Sequence, residues 1–196
     1  MLVWVGLFNE YSMESMKGGA APARIGNLFW LAAAILAADQ LTKVLITSQM
    51  TLGQSIPVIA DFMHFTLVRN TGMAFGILSR ADIPFKTALV TLLSGGAMVA
   101  VGYYALKAPP SERLTRGGLA CILGGALGNI TDRLRLGYVV DFIDVFYRDT
   151  HWPAFNIADS CICIGVGLLL LDGFRRPEPT TKAEISAPIG AGQGES

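Results

Sequence analysis

Residues 87–106 carry no charged side chain, and residues 28–46, 117–130 and 157–171 are nearly as apolar. A run of this kind placed in lipid must satisfy its own backbone hydrogen bonds, and a helix does so. Nineteen residues, 28–46, rise about 28 Å as a helix, close to the thickness of a bilayer's hydrocarbon core. The chain is therefore expected to be a mainly α membrane protein with four transmembrane helices, over about 28–46, 87–106, 117–130 and 157–171. Composition agrees: 52% of residues are hydrophobic, 15% are charged, and the mean hydropathy is +0.49. With no net charge there is no basic footprint for nucleic acid, and no nucleic-acid partner is expected. One domain, 26–174, is expected between a flexible tail at 1–25, where Met13 and Met16 are alternative starts, and a disordered tail rich in Pro, Gly and polar residues at 175–196.

Two interruptions of the apolar pattern carry information. An Ala-x-Ala near Ala38 could mark a cleaved leader, but the apolar run resumes at 41–46 and further spans follow, so an uncleaved anchor is expected. Residues 51–79 break the helical period. Met63, Phe65 and Leu67 alternate with His64, Thr66 and Val68, which predicts short strands and a small β element at the membrane surface. It runs into Asn70-Thr71-Gly72, where Asn70 is either a turn former or an amide aimed at a substrate backbone.

Acids gather between the third and fourth spans: Asp132, Asp141, Asp144, Asp149 and Asp159. Four spans put both termini on one side. Eight basic residues (Lys17, Arg24, Lys107, Arg113, Arg116, Arg175, Arg176, Lys182) then share that side, against six on the other (Arg69, Arg80, Lys86, Arg133, Arg135, Arg148). That excess predicts cytoplasmic termini and an acid-rich outer face. Asp141 and Asp159 would then meet at one membrane level although eighteen positions apart. Two carboxylates brought together tend to share a proton, giving one acid and one base at neutral pH, the equipment for directing water at an amide carbonyl.

Each of these residues also has a plainer reading. Asn156 and Asp159 have the spacing of a capping box, which is compatible with a catalytic Asp159 because helix N-termini favour negative charge. Asp39 and Lys43, four apart, read as a snorkelling lysine with its partner or as part of the chemistry. Asn129, Asp132 and Arg133 are either a local Asp–Arg bridge at a helix end or groups that orient the acids and hold a substrate carbonyl. Asp144 and Asp149 read as solvated. Cys121, Cys161 and Cys163 lie in apolar runs and read as small hydrophobes. His64 and His151 are too far apart in sequence to suggest a triad or a His-rich metal site. Two rival classes stay open: a metal-dependent lipid head-group transferase using Asp132, Asp141 and Asp144, and a proton-coupled transporter using Asp39 and Asp159.

Five blocks in order carry a resemblance: Asp39-Gln40-Leu41-Thr42-Lys43, Asn70-Thr71-Gly72-Met73-Ala74-Phe75, the run from Gly124 to Arg133, Gly137-Tyr138-Val139-Val140-Asp141-Phe142, and Phe155-Asn156-Ile157-Ala158-Asp159. Over residues 26–174 the chain resembles lipoprotein signal peptidase, signal peptidase II. It departs at Met73, where that family usually has a small residue. The resemblance implies an aspartic endopeptidase of the bacterial inner membrane with four transmembrane helices and a small extracytoplasmic β-cradle. Its substrate would be a diacylglyceryl-modified prolipoprotein, cut before the lipidated Cys. Asp141 and Asp159 would be the catalytic dyad, with Asn70, Asn129, Arg133 and Asn156 holding substrate and dyad, and Asp39 and Asp132 in support. It implies no metal or organic cofactor; membrane lipids are the expected surroundings and a monomer the expected state.

Overall fold

The computed structural model describes residues 22–72 and 85–175, and for residues 22–25 only the backbone course. Of the expected tails, residues 22–25 open the first helix and Arg175 closes the last; the rest of both, and the part of the β element beyond 72 with Met73, lie outside these residues. In chain order the elements are α1 (Pro22–Gln49), β1 (Ser55–Ile59), β2 (Met63–Asn70), α2 (Lys86–Lys107), α3 (Arg113–Leu136), β3 (Val139–Tyr147), β4 (Thr150–His151) and α4 (Ile157–Arg175).

Helix α3 is the centre of the bundle. It packs extensively on α4, α1 and α2, and the core around it joins Leu28 and Ala32 of α1, Ala105 of α2, and Leu119, Ala120 and Leu123 of α3. Among the described residues three helical segments are long and apolar enough to cross a membrane: Gly26–Gln49, Lys86–Lys107 and Ile157–Arg175. Helix α3, where a span over 117–130 is expected, is longer than expected and less apolar. Its place explains why: α3 meets neighbouring helices on several sides, so small and polar side chains replace those that lipid would require. Trp30, Leu92, Val99 and Leu170 on the outer helices are more than half exposed, as side chains facing lipid would be.

The glycines of α3 set the helix spacing. A Cβ on Gly128 would stand 2.5 Å from an Asp39 carboxylate oxygen, and one on Gly125 would run into the Ala158 carbonyl oxygen. The backbone of α3 thus comes close to α1 and to the start of α4 on the turns that carry the polar residues.

Strands β1 to β4 form one antiparallel sheet in that order. The alternation at 63–68 does mark a strand, β2, but its partner β3 comes from the stretch expected to be a polar connection. The register pairs Val68 with Asp141 and Asn70 with Val139. Gly137, at φ 80°, ends α3 in the left-handed conformation that glycine tolerates best and turns the chain into β3. Met50, Leu67 and Val140 pack as a second small core that seats the sheet on the end of α1. Phe155 then pairs with Ile143 through its own N–H (3.0 Å) and carbonyl (2.8 Å), which carries Asn156 alongside β3 just before α4 begins.

Gly128→Ala and Gly125→Ala should each destabilise the protein by about 1–3 kcal/mol, since neither neighbour can yield freely. Gly95→Ala in α2, whose added methyl meets nothing within 4 Å, should leave the melting temperature unchanged or raise it slightly. Thermal unfolding in one detergent measures all three.

Candidate active site

Asp141 is buried on β3, and both of its oxygens accept hydrogen bonds. Asn156 Nδ2 donates to Oδ1 at 2.7 Å and Asn70 Nδ2 donates to Oδ2 at 2.9 Å. Asn70 owes its orientation to the turn that follows β2, because its Oδ1 accepts the N–H of Gly72 at 2.8 Å. The two readings of Asn70 are therefore both true: it forms the turn, and the turn aims its amide.

Asp159 stands in the first turn of α4. Its backbone N–H donates to Asn156 Oδ1 at 2.9 Å, so Asn156 caps the helix. The capping box forms by half, since the Asp159 carboxylate accepts instead from Asn129 Nδ2 at 2.8 Å. Asn156 thus touches both acids, one through its amide nitrogen and the other through the backbone next to its oxygen. Asn129 Oδ1 accepts from Asn156 Nδ2 at 3.1 Å, so the two amides form a bridge between the carboxylates.

The local Asp132–Arg133 bridge is not what forms. Asp132 turns inward, where it pairs with Lys43 at 2.9 Å and accepts the N–H of Val140 at 3.1 Å. Arg133 instead reaches the carbonyls of Gly72 (3.0 Å) and Asn129 (3.5 Å). Asp39 and Lys43 do pair, at 2.8 Å, but Lys43 is buried rather than snorkelling and also donates to Asn129 Oδ1 at 3.1 Å. Asp144 is not solvated either. It accepts from Thr66 at 3.1 Å and meets His151 Nδ1 at 2.8 Å. His64 and His151, distant in sequence, pack against the same Phe146 ring. This outer cluster is separate from the bridged carboxylates. Among the described residues no three His, Cys, Asp or Glu side chains are grouped to hold a metal ion.

Beside Asp159 a cleft of about 240 Å³ opens between α2, α3 and α4. Val90, Met98, Val101, Ile122 and Ile162 give it apolar walls, and Asn70, Asn129, Arg133 and Asp159 form its polar end. An apolar groove closed by hydrogen-bonding groups suits an apolar segment that ends in a polar backbone.

Electrostatics shift the Asp141 pKa upward. Burial raises its pKa first and the neighbouring Asp159 charge second; donation from Asn70 and Asn156 and the charge of Lys43 pull the other way, and the outcome is a rise from 3.8 to about 7.

A model of the family described as signal peptidase (SPase) II matches residues 31–175. The chain belongs to the signal peptidase II family. Among its relatives are lipoprotein signal peptidases of Geobacter metallireducens (47% identical, covering 71% of this chain and 85% of that protein) and of Syntrophotalea carbinolica (42%, covering 76% and 91%). Two solved structures of bacterial membrane enzymes, determined by the in meso method, share the fold. One superposes with TM-score 0.67 at 34% identity, over 80% of this chain and 95% of that one; the other with TM-score 0.69 at 31% identity, over 78% and 95%. As a signal peptidase II the chain is an aspartic peptidase, and the resemblance read from the five blocks holds across most of its length.

One part of this site was not singled out in advance, β3 as its platform, and the sequence alone leaves Lys43 between a snorkelling partner of Asp39 and a part of the chemistry. A signal for β3 was present in the β-branched and aromatic run Val139, Val140, Phe142, Ile143, Val145 and Phe146, which the acids within it obscured.

The raised Asp141 pKa has a sign that can be measured. Because the native state holds this proton more tightly than the unfolded chain, its contribution to stability is full below about pH 3.8 and is lost as pH rises through about 7. A protonated-carboxyl infrared band, assigned by its loss in Asp141→Asn, should titrate with a midpoint near 7. In Asn70→Ala, which removes a donor to the carboxylate, the midpoint should move upward.

Proposed function

We propose that this protein removes the signal peptide from diacylglyceryl-modified bacterial prolipoproteins by cutting immediately before the lipidated Cys, with Asp141 and Asp159 as its catalytic dyad. The observation that carries this reading is the pair of aspartates joined through Asn156 and Asn129, with Asp159 at the polar end of an apolar cleft. Membership of the signal peptidase II family supports it.

The geometry supplies a division of labour. Asp159, at a helix N-terminus and receiving the Asn129 amide, is placed to take a proton from water. Asp141, with its pKa near 7, is suited to donate to the scissile carbonyl oxygen. Water adds to the carbonyl carbon, and the tetrahedral intermediate collapses as the amide nitrogen leaves with a proton returned from the dyad. Arg133 and Asn70 at the polar end hold the substrate backbone, while Asn129 and Asn156 orient the acids and Asp39 and Asp132 support them.

The wider setting belongs to the same proposal. The peptidase domain runs over 26–174, with α3 as a fourth membrane-crossing helix, the sheet on the extracytoplasmic side of the inner membrane, and tails at 1–25 and 175–196 in the cytoplasm. The enzyme acts as a monomer, and the substrate's acyl chains stay among membrane lipids while the scissile bond meets water. The two rival classes fit less well. Asp132 and Asp144, which a lipid transferase would need for a metal, are engaged by Lys43 and His151, and Asp39 is held by Lys43.

Purified protein incubated with a diacylated prolipoprotein peptide should release the signal peptide. Asp141→Asn and Asp159→Asn should each lower kcat by at least about 10²–10⁴-fold, the usual share of a positioned acid or base. Robust cutting by either variant overturns the dyad, and cleavage abolished by a chelator points to the metal-dependent class instead.

A further inference from the structure

Lys43 carries a buried ammonium whose three hydrogens meet three acceptors: Asp39 Oδ2 at 2.8 Å, Asp132 Oδ2 at 2.9 Å and Asn129 Oδ1 at 3.1 Å. What those acceptors do next is parallel. Asp39 Oδ1 accepts the backbone N–H of Ala158 at 2.9 Å, the residue before Asp159. Asp132 Oδ2 accepts the backbone N–H of Val140 at 3.1 Å, the residue before Asp141. One cation therefore ties together two carboxylates, each gripping the main chain next to one member of the dyad. Gln40 Nε2 closes the frame from the same turn of α1, donating to Asp132 Oδ1 at 3.0 Å.

The third contact fixes an orientation. An asparagine amide can be flipped with little change of shape, and only its partners decide which end faces which way. Asn129 Oδ1 faces two donors, Lys43 Nζ and Asn156 Nδ2, so its Nδ2 is left to face Asp159 Oδ1 at 2.8 Å. With the amide reversed, an oxygen would face a carboxylate and an NH₂ would face an ammonium.

We infer that Lys43 is a positioning residue for the dyad: it sets the spacing of the two main-chain segments that carry Asp141 and Asp159, and it holds the Asn129 amide with its donor toward Asp159. It touches neither the substrate nor the reacting atoms. Its charge also acts on the pair. Burial and Asp159 raise the Asp141 pKa, Asn70 and Asn156 lower it, and Lys43 adds to the lowering. The charged groups nearest the pair from the surrounding elements are Lys43 and Asp39 on α1 and Arg133 and Asp132 on α3.

The test separates positioning from charge balance. Lys43→Met alone leaves two buried carboxylates without their partner and should lower the melting temperature markedly. The combined variant Asp39→Asn, Lys43→Met, Asp132→Asn is neutral throughout, and each new amide still offers an oxygen to the Ala158 or Val140 N–H. It should fold, yet cut the diacylated peptide with kcat reduced on the order of 10- to 100-fold, as a misplaced catalytic group does, and with KM little changed. Wild-type kcat in this variant overturns the inference. Should it not accumulate as folded protein, Lys43→Arg decides: its planar fork keeps the charge but cannot point donors at three acceptors set around an ammonium, so wild-type kcat there also overturns it. The inference rests on the dyad reading, and the two fail differently. Cutting by Asp141→Asn or Asp159→Asn ends the dyad reading, whereas inert dyad variants beside a fully active combined variant end this inference alone.

Discussion

A charge held away from water must be answered by groups within hydrogen-bonding distance, and that requirement organises the whole polar end of this bundle. Asp39, Lys43, Asn129, Asp132, Asp141 and Asn156 are all buried, and each has its partners among the others or in the neighbouring backbone. Leaving one such charge without its partner costs several kcal/mol, so the network holds as a set. It is assembled from α1, α3, the sheet and α4, so the fold as a whole and the geometry of the two acids are established together.

Close approach of α3 to its neighbours is what lets the network close. Short side chains such as Asp and Asn reach only if the helices carrying them nearly touch. Gly128 brings Asp39 against α3, and Gly125 brings the first turn of α4 beside the same surface. The sheet completes the arrangement, because Asp141 needs a platform that runs across the ends of the helices rather than along them. The antiparallel pairing of β2 with β3 provides it and places Asn70 near the same carboxylate.

Much of this was legible in the residues. Apolar length gave the helices, alternation at Met63–Val68 gave a strand, and the spacing of Asn156 and Asp159 gave a cap that the coordinates contain. What escaped did so for physical reasons. A lysine near the end of an apolar run usually extends its stem toward water, and nothing local to Lys43 reveals that Asp132, eighty-nine positions on, waits for it instead. Strand β3 was hidden because its acids look like the mark of a solvated loop, although Asp141 points into the protein. Helix α3 was expected over 117–130 and runs from Arg113 to Leu136, because Asp132 in its later turns is answered by Lys43 and the Val140 N–H rather than by water.

The fastening of the bundle is uneven. Helix α3 is held by α1 on one flank and α4 on another through backbone-close contacts, whereas α2, among the described residues, makes its extensive contacts with α3 alone. Val90, Met98 and Val101 of α2 form one side of the apolar cleft, and Ile122 and Ile162 form the other. The groove thus has a floor on α3 and α4, the helices that carry Asn129 and Asp159, and a wall from α2 that carries neither.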